Sequence, residues 1–313
     1  MKKKTLSIAI AAMVLLSGGF VASCKKKDTA TTPTTTPDTS SGTAADNNSA
    51  ENHSNDAEQI GAESIDNGSL TTVARLGSGS GMISPLSGSI TITPSAGNIL
   101  VTFNNYVGMD GHYRNGSILY SYSGGTHYRD PGMTIVVTTP SANPYMVDSN
   151  TVNINKTIIN NGISNGTMSW AITSTVTITK PSGAGSFTWT GNRTKTLLNT
   201  AAITWNGNSY AAAYNGTSAP ISWGSALIGI TGSASGSSTD GKSYTANINS
   251  QLVRDFNCSP SSLHTHFHPF IAGEIDFTPA GKTTRQINYG TGACDETYTI
   301  TIGSWSTTLT MNR

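Results

Sequence analysis

The chain has 313 residues, a formal net charge of +1 and 11% charged residues. That is less than half the roughly 25% of an ordinary soluble domain. The place of charge is taken by Ser, Thr, Gly and Asn, a composition that excludes disorder driven by self-repulsion and favours strands joined by tight turns. The charge is also uneven: Lys2, Lys3, Lys4, Lys25, Lys26 and Lys27 are six of the 18 basic residues, residues 28–67 carry eight acidic and no basic ones, and residues 68–313 carry 12 basic and 9 acidic ones. No basic cluster in that last part would track a phosphate backbone, so nucleic acid is not an expected partner.

The first predicted element is an export signal over residues 1–23. Met1 to Lys4 are a basic start, and Leu6 to Leu16 are an apolar run too short to span a bilayer as a mature helix. Val21-Ala22-Ser23-Cys24 follows. This run resembles the bacterial lipobox, in which small residues precede a cysteine. The resemblance implies a diacylglycerol thioether on Cys24, cleavage before it, and acylation (palmitate) of the new amine. Two or more acyl chains hold a protein on a membrane stably, whereas one does not. Lys25-Lys26-Lys27-Asp28 resembles the surface-export signal of Bacteroidota lipoproteins, and Asp28-Thr29-Ala30 the glycosylation sequon of that group. These likenesses imply an outer-membrane lipid anchor with the chain displayed at the cell surface, or else facing the periplasm.

Residues 24–67 read as a disordered tether. Thr29 to Thr43 are a Thr/Pro/Ser tract and Ala44 to Asp66 are dominated by Asn, Asp and Glu, with too few apolar residues to offset the entropy of ordering. No segment after the signal shows a helical period. Setting Cys24 aside leaves Cys258 and Cys294, which in an oxidising compartment are expected to form one disulfide.

Residues 68–313 read as an all-β domain. Ile118, Tyr120 and Tyr122 share a face by period two, as do Trp170, Ile172, Val176 and Ile178, and then Tyr298, Ile300 and Ile302. Such alternation means half-buried antiparallel strands. Turn dipeptides recur at Asn115-Gly116, Asn161-Gly162, Asn165-Gly166, Asn206-Gly207, Asn215-Gly216 and Asp240-Gly241. The expected architecture is an antiparallel β-sandwich or an extended antiparallel sheet. Gly88 to Gly97 resembles Gly273 to Gly281, which raises the alternative of two similar β units divided somewhere near 160–225. Phe103 to Gly125 and Ile287 to Asp295 resemble stretches of uncharacterised β-rich Bacteroidota lipoproteins, a likeness that implies organism class and location but no activity.

Chemistry is sparsely signalled. His264, His266 and His268 alternate, and on a strand they would share a face, so neighbouring pairs could chelate a metal. Zn is the one cofactor this offers, with Glu274, Asp276 and His112 as further ligands; a polar His-rich loop is the plainer reading. Gly162-Ile163-Ser164-Asn165-Gly166 matches the G-x-S-x-G pattern, but another strand follows where the nucleophile elbow needs a helix, so it reads as a turn. Most aromatic residues lie in phase with aliphatic ones and are expected in the core. Tyr113 and Tyr128, beside His112 and His127 in loop-like stretches, are the expected exposed ligand-binding candidates. The function this supports is a membrane-anchored lipoprotein presenting a non-catalytic β domain for a glycan or protein ligand or for envelope structure. The alternative is a metal-dependent hydrolase or metal-binding protein at His264–His268.

Overall fold

Period-two patterning gives fourteen strands in the computed structural model, which describes residues 38–66, 85–199, 226–259 and 268–311. They are β1 (Pro85–Ser95), β2 (Asn98–Gly108), β3 (Tyr113–Ser123), β4 (Thr134–Thr138), β5 (Met146–Val147), β6 (Asn150–Ser164), β7 (Thr167–Thr179), β8 (Ser186–Leu197), β9 (Leu227–Ser237), β10 (Ser243–Asp255), β11 (Phe270–Pro279), β12 (Arg285–Thr291), β13 (Thr297–Ile302) and β14 (Trp305–Thr310). All belong to one antiparallel sheet whose strand order follows the chain, with β4 and β5 end to end between β3 and β6. The extended-sheet expectation therefore holds and the sandwich does not. Nor is the sheet divided near 160–225, because β8 pairs directly with β9. The two similar segments are a strand and its turn at β1–β2 and again at β11–β12, inside the same sheet.

Of the expected turn dipeptides, Asn165-Gly166 and Asp240-Gly241 close the β6–β7 and β9–β10 hairpins. Asn115-Gly116 lies inside β3 and Asn161-Gly162 inside β6, which corrects their reading as turns, and residues 206–207 and 215–216 lie outside the described residues. Between β6 and β7, Asn165 and Gly166 both take positive φ (51° and 75°), which the two-residue turn matching the strand twist requires. The G-x-S-x-G match is this turn. The outer face is a lattice of hydroxyls: Thr175 meets Thr190 at 3.3 Å, Thr179 meets Ser186 at 3.1 Å and Thr299 meets Thr308 at 3.3 Å. Cross-strand pairs of this kind stabilise a sheet modestly while leaving it wettable.

The tether expectation is corrected over part of its length. Gly42–Asp66 form a 25-residue helix, α1. The residues preceding position 38, including Cys24, lie outside the described residues. The helix lies in the core, and its contacts fan out around its axis. Glu51, Ser54 and Glu58, spaced to share one side, meet β6, β7 and β8. His53, Ala57 and Gly61 meet β3 and the turn before it. Asn48 and Asp56 meet β12 and β10. Partners on all sides of one cylinder about 10–12 Å across mean that the sheet encircles the helix. Tyr120 of β3 donates its hydroxyl to the Ala57 carbonyl (2.8 Å). A Cβ at Gly61 would lie 2.4 Å from the same ring, so only glycine lets helix and strand approach this closely.

The hydrophobic core lies between helix and sheet. It includes Val101, Ile118, Val137, Trp170, Val176, Phe187, Trp189, Ile275 and Phe277, each at most 1% exposed. Trp170 and Trp189 are buried as expected, Trp170 stacking on Tyr128 at 5.7 Å, whereas Tyr122 and Trp305 are only half-buried against the core. Trp205 and Trp223 lie outside the described residues. Cys258, just after β10, and Cys294, between β12 and β13, are bonded across a sequence separation of 36. Closing a loop of that length contributes about 4 kcal/mol by the chain-entropy account.

Candidate functional site

The buried helix carries charge inward rather than apolar bulk, and the sheet answers it with cations. In β6, Val152, Ile154, Lys156 and Ile158 alternate inward; in β8, Phe187, Trp189, Arg193 and Lys195 do the same. Glu58 takes Lys156 at 2.6 Å and Lys195 at 2.5 Å, and it accepts the Tyr128 hydroxyl. Glu51 takes Arg193 through Nε at 3.0 Å and Nη2 at 2.6 Å. Burial pushes the Glu58 carboxyl up, but the two ammonium groups outweigh it and hold it down at about 2. Burial also pulls Lys195 below the ordinary lysine value in spite of that partner.

A second charged cluster joins α1 to the β2–β3 turn. Asp110 is held by both terminal nitrogens of Arg114, and His112 meets Asp148 at 2.6 Å through Nδ1. Burial alone would lower the His112 imidazole, but Asp148 and Asp110 raise it above its ordinary value. Asp56, Asp110 and His112 each offer one ligand atom within 4.8 Å of the others, a spacing that could hold a metal ion. Arg114 occupies Asp110, however, and Arg254 lies 3.9 Å from Asp56. These two fixed cations already supply the charge that a metal would bring, so the cluster reads as an ion-pair network between helix and sheet.

Beside it, His53 is buried with its ring 6.0 Å from that of His112. Burial pushes its imidazole from 6.5 to about 3; His112 and Arg114 push the same way, and Asp148 and Asp110 oppose them. The unfolded chain therefore takes a proton on His53 below pH 6.5, and the folded one does so only near pH 3. Stability should fall as pH drops through that window, by at most about 1.4 kcal/mol per pH unit from this group. His53→Gln should remove that part of the acid sensitivity. Urea midpoints at pH 6.5 and at about pH 4.5 check this; equal losses in both proteins would show that His53 is not its source.

The residues singled out from sequence are placed differently from one another. Tyr113 is exposed (37%), as expected. His112 (2%) and Tyr128 (4%) are not, which corrects their reading as surface ligands. The turn after β2 brings alternation back at His112-Tyr113-Arg114, so His112 and Arg114 point in and Tyr113 points out. The loop after β3 folds onto Asp130, whose carboxylate accepts the Thr126 and His127 amides at 2.7 and 2.9 Å, and this turns Tyr128 inward onto Trp170. His127 stays half-buried, 3.6 Å from Asp130. His264 and His266 lie outside the described residues. His268 is buried, with Nδ1 donating to the Cys258 carbonyl at 2.9 Å. Glu274 and Asp276 occupy half-buried outward positions of β11.

On the outer face, Ser89, Thr91, Thr102, Asn104 and Asn115 floor a groove of about 670 Å³, with Asn143, Pro144 and Met146 as one wall. The wall exists because β4 and β5 are one strand position interrupted by residues 139–145, which loop out over β3. The loop packs so closely that a Cβ at Gly116 would lie 1.9 Å from the Pro144 carbonyl oxygen. The chain matches no family model, no curated protein and no solved structure. The reading of its function therefore rests on its own residues.

Proposed function

We propose that this protein is an exported lipoprotein, acylated at Cys24 and held on the outer membrane, that presents its β domain at the cell surface as a non-catalytic binding module. The observation that carries the reading is the register of the N-terminus: basic start, apolar run and small residues end on Cys24, with Lys25-Lys26-Lys27-Asp28 after it. The polarity of the sheet is consistent with it. A strand barrel embedded in lipid turns an apolar band outward. Here outward positions such as Asn153, Asn155, Thr173, Thr175, Thr190 and Thr194 are polar and exposed, as suits a domain standing in water and tied to the membrane elsewhere. The buried charges support a binding or structural role over catalysis, because they are spent on one another across the helix–sheet seam.

Two readouts on producing cells test the proposal. Labelled palmitate should enter the wild-type chain and not Cys24→Ala. Protease added to intact cells should remove the β domain without lysis. Label that persists in Cys24→Ala would overturn the anchor. A domain protected until the outer membrane is permeabilised would overturn surface display.

A further inference from the structure

We infer that the outer groove over β1, β2 and β3 is a binding site for a neutral oligosaccharide. The inference deepens the binding-module reading, on which it rests, by naming a site and a class of ligand. Three features of the groove carry it.

The first is its chemistry. Its floor is built of carboxamides and hydroxyls: Asn104, Asn115, Thr91, Thr102 and Ser89. Each carboxamide offers a donor and an acceptor, and each hydroxyl offers both. A polyhydroxylated ligand presents the same mixture, so donors meet acceptors without ion pairing. No Lys, Arg, Asp or Glu lines the groove. An anionic ligand would find no cation there to compensate its desolvation.

The second is its place in the sheet. A peptide that adds to a sheet needs an unpaired strand edge. Here β2 is hydrogen-bonded on both sides, to β1 and β3. β1 is the first strand of the sheet and pairs only with β2 among the described residues, but the groove runs from Ser89 and Thr91 of β1 across β2 to Asn115 of β3, over the face of the sheet and not along that edge. Recognition must therefore come from side chains and from the wall formed by Pro144 and Met146. With a volume of about 670 Å³ the groove falls within the range of small-ligand sites.

The third is preorganisation. Asn115 Oδ1 accepts the Asn105 amide at 2.7 Å, and its Nδ2 donates to the Tyr113 hydroxyl at 2.6 Å. That hydroxyl donates to Asn105 Oδ1 at 2.6 Å. The ring of three holds the exposed Tyr113 beside the groove and fixes the Asn115 amide, with Asn105 held at a φ of 47°. On the other flank Asn143 donates to Ser117 at 2.6 Å, and Ser117 meets Thr102 at 3.0 Å. Left-handed backbone at a non-glycine residue is costly and clusters where structure is over-determined. Groups frozen before the ligand arrives lose less entropy on binding. A fixed aromatic ring next to fixed amides suits the alternating C–H faces and hydroxyl edges of a sugar.

The experiment is saturation-transfer NMR followed by calorimetry on the purified full-length lipoprotein in detergent. The probes are maltohexaose, cellohexaose, laminarihexaose, xylohexaose, mannohexaose and N-acetylchitohexaose, with polygalacturonate and heparin oligosaccharides as charged controls. At least one neutral probe should bind with a Kd of about 1 mM or tighter. Asn115→Ala and Tyr113→Ala should each weaken it at least about ten-fold. Thr91→Arg, at an exposed floor position, should block binding without touching the hydrogen-bonded ring. Thr175→Ala, on the outer face of β7, should leave binding unchanged. Near-UV circular dichroism confirms that each variant is folded. Silence from every neutral probe, equal binding in the Thr91→Arg variant, or preference for the charged oligosaccharides overturns the inference. Because the assay uses purified protein, it stands or falls independently of where the lipoprotein is displayed on the cell.

Discussion

A chain that begins at Gly68 is expected to be unable to fold, while one that begins at Asp38 melts like the whole chain. The sequence-based boundary at residue 67 would discard α1 as tether, yet α1 carries the partners of the sheet's inward cations. Without it Lys156, Arg193 and Lys195 lose Glu58 and Glu51, Arg254 loses Asp56, and the Tyr120 and Tyr289 hydroxyls lose their acceptors on the helix. A buried charge stripped of its counter-ion costs about 3–5 kcal/mol, and several at once exceed the whole stability of an ordinary domain. Near-UV circular dichroism and urea unfolding of the two chains check this. A Gly68 chain with native near-UV signal and a cooperative transition would show that the sheet stands without its helix.

The largest single-residue effect should come from Glu58. Its carboxylate is shared by Lys156, Lys195 and Tyr128, all of them mostly buried. Glu58→Ala should destabilise by about 3–5 kcal/mol, because two ammonium groups remain in the interior with no carboxylate. Removing all the charge together should be far milder, since replacing a buried ion network by apolar residues of similar size is often neutral. The triple change Glu58→Leu, Lys156→Met, Lys195→Met should therefore recover most of the loss. Urea midpoints of wild type, single and triple variants measure both effects. A loss below about 1 kcal/mol for Glu58→Ala would mean that water already reaches the lysines.

The strands were legible because their inward faces alternate over long runs. Trp170, Ile172, Val176 and Ile178 in β7 announce themselves, and so do Tyr298, Ile300 and Ile302 in β13. The Cys258–Cys294 bridge followed from counting. The helix was not legible, for a physical reason: helical periods are looked for in apolar residues, and α1 buries Asn47, Asn48, Glu51, Asn52, Asp56 and Glu58 instead. A signal did exist in the partner strands. Lys156 and Arg193 sit in phase with aliphatic and aromatic neighbours, and residues 68–313 carry more basic than acidic groups while residues 28–67 carry eight acids and no base. Two segments of opposite charge, one with its cations on buried positions, point to one docked inside the other. His112 and Tyr128 were missed because a polar loop residue is ordinarily wet, and here the loops fold toward a charged interior. The groove was not legible either, because it depends on β4 and β5 sharing one strand position with the chain looping out between them.

The threading of α1 through the sheet also sets an order of events during synthesis and folding. The helix lies near the start of the chain and is made early. Its partners come late: Tyr289 reaches back 241 residues to Asn48, and Arg285 reaches back 247 residues to Asp38, just ahead of the helix. Contacts of such long sequence separation are slow to form, because the chain entropy of closing the loop must be lost before any contact rewards it. The sheet cannot finish enclosing its own centre until β12 has been made, so the polypeptide should stay incompletely folded through most of its synthesis and lock only near the end. The late bond between Cys258 and Cys294 falls in that last portion, where it would fasten the final strands only after the helix is seated.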